Sequence, residues 1–252
     1  MPNTLTSEAI CSGELKGRVA VVTGASSGVG RAIALSLARR GAYLCAIGRN
    51  SKALEETVAA AQESAMATAF KMDLTVKENL ETLVSHLDEN GGKVDILVHS
   101  AGVIHQNPME RARIADFDCQ YAINVRAPYL LTQLLLPFLT KAQGQVVFIN
   151  SSVGLAVKRP EVGQYAATKH ALKAVADSLR EELNPKGVRV LTVYLGRTAT
   201  PMQEALYRDE RRPYHPERFL QPEDAASVVV HALTLPRTAE VTDLSIRPMA
   251  KS

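Results

Sequence analysis

Arg18-Val-Ala-Val-Val-Thr23 is a run of β-branched and small apolar residues that leads directly into Gly24-Ala-Ser-Ser-Gly28-Val-Gly30. A strand with no polar alternation must be covered on both faces, which is the situation inside a parallel sheet flanked by helices. The glycines allow a tight turn and a close approach of the backbone to whatever lies against it. Helical periodicity follows from Arg31 to Arg40 and stops at Gly41, a C-terminal cap. A strand-to-helix turn of this kind aims the positive end of a helix out of the sheet edge, a place suited to a phosphate.

The same pattern repeats along the chain. Further strands are expected at 42–47, 67–71, 95–99, 145–150, 188–194 and 241–246. Helices are expected at 51–64, 76–90, 114–141, 163–184 and 223–235. The helix over 114–141 is expected to bend at Pro128 and to end near Pro137. The stretch 196–222 has four prolines and many charges, and reads as irregular or short-helical. Regular βα alternation with right-handed crossovers implies an α/β fold, a doubly wound parallel sheet with helices on both faces. No composition shift or linker divides the chain, so residues 15–252 read as a single domain behind a flexible N-terminal tail, 1–14.

Composition narrows the function classes. The 252 residues carry a net charge of +3, spread without a basic cluster, which gives no nucleic-acid footprint. No apolar run approaches the ~18–20 residues that span a bilayer. Cys11, Cys45 and Cys119 are too scattered for a metal site or a disulfide framework, so a reducing cytoplasm is expected. His86, His105, His170 and His231 show no metal-ligand spacing either, and no metal is expected.

Chemistry concentrates at Tyr165-Ala-Ala-Thr-Lys169. Residues at i and i+4 share one helix face. An ammonium beside a phenol favours the phenolate, and the expectation is a tyrosine pKa lowered from its ordinary value near 10. Such a phenol acts as an acid or base near neutral pH.

The spacing Thr23-Gly-x-x-x-Gly-x-Gly30, followed two-thirds along by Tyr165-x-x-x-Lys169, resembles the classical short-chain dehydrogenase/reductase family. The resemblance covers about 15–249 and includes Asp73-Leu74 after the third strand, Asn124 in the long helix, and Ser152 thirteen residues before Tyr165. It implies a Rossmann-type fold and hydride transfer between a nicotinamide dinucleotide and a small carbonyl or alcohol substrate. In that reading Tyr165 is the acid/base. Lys169 lowers its pKa and holds the nicotinamide ribose. Ser152 holds the substrate oxygen, and Asn124 supports a water joined to Lys169. The implied cofactor-binding residues are Gly24, Ser26, Ser27, Gly28, Val29 and Gly30 of the turn, Arg49 and Asn50, Asp73 and Leu74, Ser100, Ala101 and Gly102, Tyr165 and Lys169, and Gly196 and Thr198.

Three departures from the family pattern stand out. His99-Ser100-Ala101-Gly102 replaces Asn-Asn-Ala-Gly, Leu195-Gly196 replaces Pro-Gly, and the last strand lacks the glycine pair of fatty-acid-type ketoacyl reductases. The second strand ends at Gly48-Arg49, where NAD-preferring members carry an acid, so NADP(H) is expected over NAD(H). Residues 197–220 are expected to form a substrate lid. The small and apolar helix 163–183, with the apolar stretch 129–139, suggests a homodimer or homotetramer. The alternatives are a nucleotide-binding regulator with little turnover, which would need only the glycine turn, and a nucleotide-sugar epimerase, which would need another glycine spacing.

Overall fold

A computed structural model describes residues 13–249; Cys11 and all but the end of the expected tail lie outside them. From Leu15 the chain is packed: Leu15 is buried and its N–H donates to the Arg40 carbonyl. Among the described residues, seven strands form one parallel sheet in the order β3-β2-β1-β4-β5-β6-β7. They are β1 Val19–Thr23, β2 Tyr43–Gly48, β3 Ala67–Lys71, β4 Ile96–His99, β5 Gln145–Ser151, β6 Arg189–Leu195 and β7 Asp243–Ile246. The helices are α1 Gly28–Arg39, α2 Ser51–Gln62, α3 Lys77–Glu89, α4 Ile114–Tyr121, α5 Ala127–Ala142, α6 Gly163–Leu183, α7 Pro201–Asp209 and α8 Pro222–Thr234.

The expected doubly wound sheet is therefore the observed one, and the residues of β1 show why. Ala20 and Val22 point into a core shared with α1, α2 and α8, whereas Val19 and Val21 point into a second core shared with α3, α5 and α6. Every residue of β1 is buried, as a run without polar alternation requires. The N-terminal edge of the sheet is pinned by Asp95, which accepts from the Val19 N–H at 2.9 Å and from the Arg18 guanidinium at 2.7 Å. Strand order reverses on either side of β1, which has β2 on one side and β4 on the other. The crevice outside the strand ends at such a reversal is where α/β sheets bind ligands.

One stretch differs from expectation. The helical region after 114 does not end near Pro137. Pro128 lies in the first turn of α5, where a missing N–H costs nothing, and Pro137 is carried inside α5, which continues to Ala142. The irregularity falls earlier, as a π-helical turn at Ala122–Arg126 joining α4 to α5. Such turns insert one extra residue and gather at functional sites, and this one contains Asn124. The stretch 196–222 is short-helical, one of the two expected forms: it contains α7 and a 3₁₀ turn at Pro216–Arg218. Thr200 caps α7 by accepting from the Gln203 N–H at 3.2 Å, and Pro201 fills the first position. Tyr207, Tyr214 and Phe219 then pack ring against ring at 5.5–5.7 Å, giving the segment a small apolar centre of its own.

Candidate active site

A cleft of about 990 Å³ opens at the C-terminal ends of β1, β2, β4, β5 and β6. Every expected cofactor and catalytic residue except Asn124 lines it directly. At one end lies the first turn of α1. Gly24 adopts φ +69°, and a Cβ there would fall 2.8 Å from the Ala101 nitrogen. At Gly30 a Cβ would come within 2.3 Å of the Gly24 carbonyl oxygen, so any side chain would force the turn open. The Thr23 hydroxyl accepts from the N–H groups of Ser100 and Ala101 at 3.0 and 3.1 Å, tying β1 to the segment after β4. Helix α1 has no side-chain cap and no acidic residue in its first turn. Its leading N–H groups at Gly28, Val29 and Gly30 thus meet the cleft with their positive polarity uncompensated, an arrangement that fits a phosphate.

The end of β2 fits the ribose side of a dinucleotide. Gly48 stands where a Cβ would lie 3.0 Å from the Ser26 hydroxyl, so an acidic side chain has little room. Arg49 is exposed on the cleft wall, and Asn50 is committed to capping α2 through the Ala53 N–H. Asp73 accepts from the backbone and hydroxyl of Thr75, which holds its carboxyl below the usual range, with Arg49 adding in the same direction.

The reacting end is built by β5 and α6. Lys169 is buried, donates to the Ile149 carbonyl at 3.1 Å and lies 5.7 Å from the centre of the Tyr165 ring. Burial pushes the Lys169 ammonium down to about 8 and the Tyr165 phenol up to about 12. The expected lowering of the Tyr165 pKa is therefore not found in the chain by itself, because loss of water outweighs the neighbouring charges. The groups that act in the lowering direction are Ser151, by a side-chain hydrogen bond, and the Arg159 guanidinium.

Ser151, the last residue of β5, accepts from the Val153 N–H at 3.4 Å and acts on the Tyr165 phenol in the lowering direction. Ser152, one residue on, is exposed and opens a single 3₁₀ turn over Ser152–Gly154. Both serines line the cleft. Asn124 lies behind it, fully buried: its oxygen accepts from the Val103 N–H, and its amide donates to the Val103 carbonyl and to the Thr168 hydroxyl at 3.1 Å. Thr168 in turn donates to the Tyr165 carbonyl. Asn124 so braces the segment after β4 against the helix that carries Tyr165 and Lys169. Asn150 does the same from β5, donating to the Lys169 carbonyl at 3.0 Å. Sequence reasoning missed Ser151, Asn150, Thr168 and Arg159. Their available signals were the doubled serine and the Lys158-Arg159 pair just before the Tyr165 helix.

The departures from the family pattern also find places. His99 is buried, hydrogen-bonds the Thr132 hydroxyl at 2.8 Å and stacks on Phe148 at 4.9 Å. Burial pushes its pKa down to about 3, so the ring is neutral core packing turned from the cleft. Gly196 keeps a close approach, since a Cβ would lie 3.0–3.1 Å from Pro248 and Arg247. Thr198 is buried, and its hydroxyl donates to the Gly196 carbonyl.

A fold of this topology, with a glycine turn, an open helix N-terminus and a half-buried tyrosine beside a buried lysine around one cleft, defines a dinucleotide-type oxidoreductase site. The chain belongs to the short chain dehydrogenase family, whose profile matches residues 18–211. An uncharacterized oxidoreductase of Staphylococcus epidermidis is 34% identical over 237 residues, which cover 94% of this chain and 99% of that protein. The structure of a dehydrogenase/reductase from Sinorhizobium meliloti superposes with a TM-score of 0.81 at 32% identity, covering 96% of this chain and 98% of that one. A metagenomic short-chain oxidoreductase in complex with NADP superposes with a TM-score of 0.80 at 28% identity, covering 94% and 100%. No helix among the described residues is long and apolar enough to cross a membrane.

Proposed function

We propose that this oxidoreductase transfers hydride between NADP(H) and a carbonyl/alcohol pair, reducing a ketone or aldehyde when NADPH is the donor. The observation that carries the reading is one cleft holding both halves of the chemistry: the uncapped N-terminus of α1 with Arg49 beyond it, and Tyr165 with Ser151 and Lys169 across from it. The cofactor, when bound, supplies the hydride. The chain must then orient the carbonyl and deliver a proton to its oxygen.

Tyr165 is the proton donor and Ser151 holds the same oxygen, a role supported by the action of its hydroxyl on the phenol in the lowering direction. Lys169, with a pKa brought down to about 8, exchanges its proton near neutral pH and takes the position expected to hold the ribose. Asn124 keeps this geometry by fixing Val103 and Thr168. Arg49 favours the 2′-phosphate of NADP(H), and the crowded Gly48 disfavours the acid that would select NAD(H). The NADP-bound metagenomic relative supports this choice. Residues 197–220, with α7, serve as the lid over the substrate.

The test is a panel of ketones and aldehydes with NADPH, followed at the cofactor's absorbance. Tyr165→Phe should lose roughly 10²–10⁴ in turnover, the range of acid/base catalysis, while still binding cofactor. Most of the wild-type rate surviving in that variant would refute the assignment.

A further inference from the structure

Charge in the cleft is one-sided. Among the described residues, its charged walls are Arg49, Lys158, Arg159, Lys169, Arg197 and Arg247, against one carboxylate, Asp73. Asp73 is already engaged by Thr75 at the Arg49 end.

Arg159 is the informative one. It is half-buried on the connection between β5 and α6, so it shares a segment with Ser151 and Tyr165 rather than with the phosphate-fitting turn of α1. Among the described residues it makes no hydrogen bond and no ion pair within 4 Å. Glu210 acts on it only from a distance, and that carboxylate is bound by Arg212 at 3.0 Å. Arg159 instead feels Arg197, whose guanidinium donates to the Tyr207 hydroxyl at 2.8 Å and is thereby fixed in place. Arg197 acts on Arg159 as a like charge in a partly desolvated part of the cleft, which favours an anion beside Arg159. Around them the wall is hydrocarbon: Ile104, Leu155, Met202 and Leu206, with Leu155 and Met202 largely open to solvent.

We infer that the substrate is an oxo acid, a carbonyl compound with a hydrocarbon body whose carboxylate is bound by Arg159, flanked by Lys158 and Arg197. A planar guanidinium matches a carboxylate with two parallel N–H···O bonds, and apolar walls accept the chain between the two polar ends. The inference rests on the reductase reading above and narrows its substrate. Arg159 is a specificity residue in it, in addition to its charge acting on the Tyr165 phenol.

The experiment compares 2-, 4- and 5-oxohexanoate with their methyl esters and with a keto phosphate, each with NADPH. At least one acid should exceed its ester about 10- to 100-fold in kcat/KM, the range of one charge-assisted hydrogen bond, chiefly through KM. Arg159→Ala should erase that preference, Arg159→Lys should restore part of it, and neither should change the Kd for NADPH. Esters used as well as acids, a preference that persists in Arg159→Ala, or a preference for the phosphate alone would each overturn the inference. So would a tenfold weaker NADPH affinity in Arg159→Ala, which would assign the residue to the cofactor. Should no carbonyl compound react, neutral aldehydes included, the reductase reading itself fails. Calorimetry of hexanoate with the NADP⁺-saturated protein then reads the anion site alone: heat that is lost in Arg159→Ala supports it, and absence of heat overturns it.

Discussion

Lys169→Met should make the cofactor-free protein more stable near neutral pH while removing its activity. The side chain is buried and its pKa falls from an ordinary 10.5 to about 8. Because the folded pKa is depressed, the unfolded chain binds the proton more tightly. Stability is therefore diminished below pH 8 and recovers as pH rises from 8 toward 10.5. A shift of this size corresponds to about 3 kcal/mol at pH 7, falling to about 1 kcal/mol at pH 9.5. Methionine keeps the length and removes the charge, but it also removes the bond to the Ile149 carbonyl, about 1 kcal/mol. The variant should then be about 2 kcal/mol more stable than wild type at pH 7, and the two nearly equal at pH 9.5. Urea unfolding of both proteins without cofactor at pH 6, 7, 8 and 9.5 measures this. A variant less stable than wild type at pH 7, or a difference that does not change with pH, would refute the account. A stabilising change that abolishes turnover is what a functional residue held against its own desolvation should give.

Three further outcomes are expected. Arg49→Ala should reduce the preference for NADPH over NADH by on the order of 1–3 kcal/mol, read as the ratio of kcat/KM for the two cofactors; equal use of both by the wild type would refute the assignment. Ser151→Ala should lower kcat by roughly 10²–10³, as loss of a donor to the developing oxyanion does, while Ser152→Ala should stay within a few-fold; the opposite ranking would return the role to Ser152. Light scattering at micromolar concentration should show a homo-oligomer through α5 and α6, whose outer faces carry Tyr129, Ala167 and Ala174 exposed; a mass near 27.3 kDa would exclude it.

The parts of this molecule legible in the sequence are those where one physical requirement fixes one residue type. A strand covered on both faces must be apolar throughout, so β1 and its place in the sheet can be read directly, and the turn at Gly24 and Gly30 can be read because no Cβ fits there. The helix α7 was legible only as a short-helical possibility because its sequence is mostly polar and charged: its start is signalled by Thr200-Pro201, but its support comes from Tyr207 meeting Tyr214 and Phe219 across a loop.

The serine shows the limit most sharply. Ending β5 at Asn150 and counting thirteen residues back from Tyr165 both point to Ser152. The strand in fact pairs one residue further, Ser151 with Leu195, before the chain turns into its 3₁₀ segment. Successive residues of a strand face opposite ways, so the strand end decides which of the two hydroxyls acts on Tyr165: Ser151 does so in the lowering direction, while Ser152 is exposed. Charge behaves similarly. The sequence places an ammonium four residues from a phenol, and in water that would favour the phenolate. Burial of both groups reverses the direction at Tyr165, and it falls to Ser151 and the more distant Arg159 to act against it. Spacing along a helix thus determined which groups meet, while the depth of the cleft, a property of the whole sheet and its helices, determined their protonation.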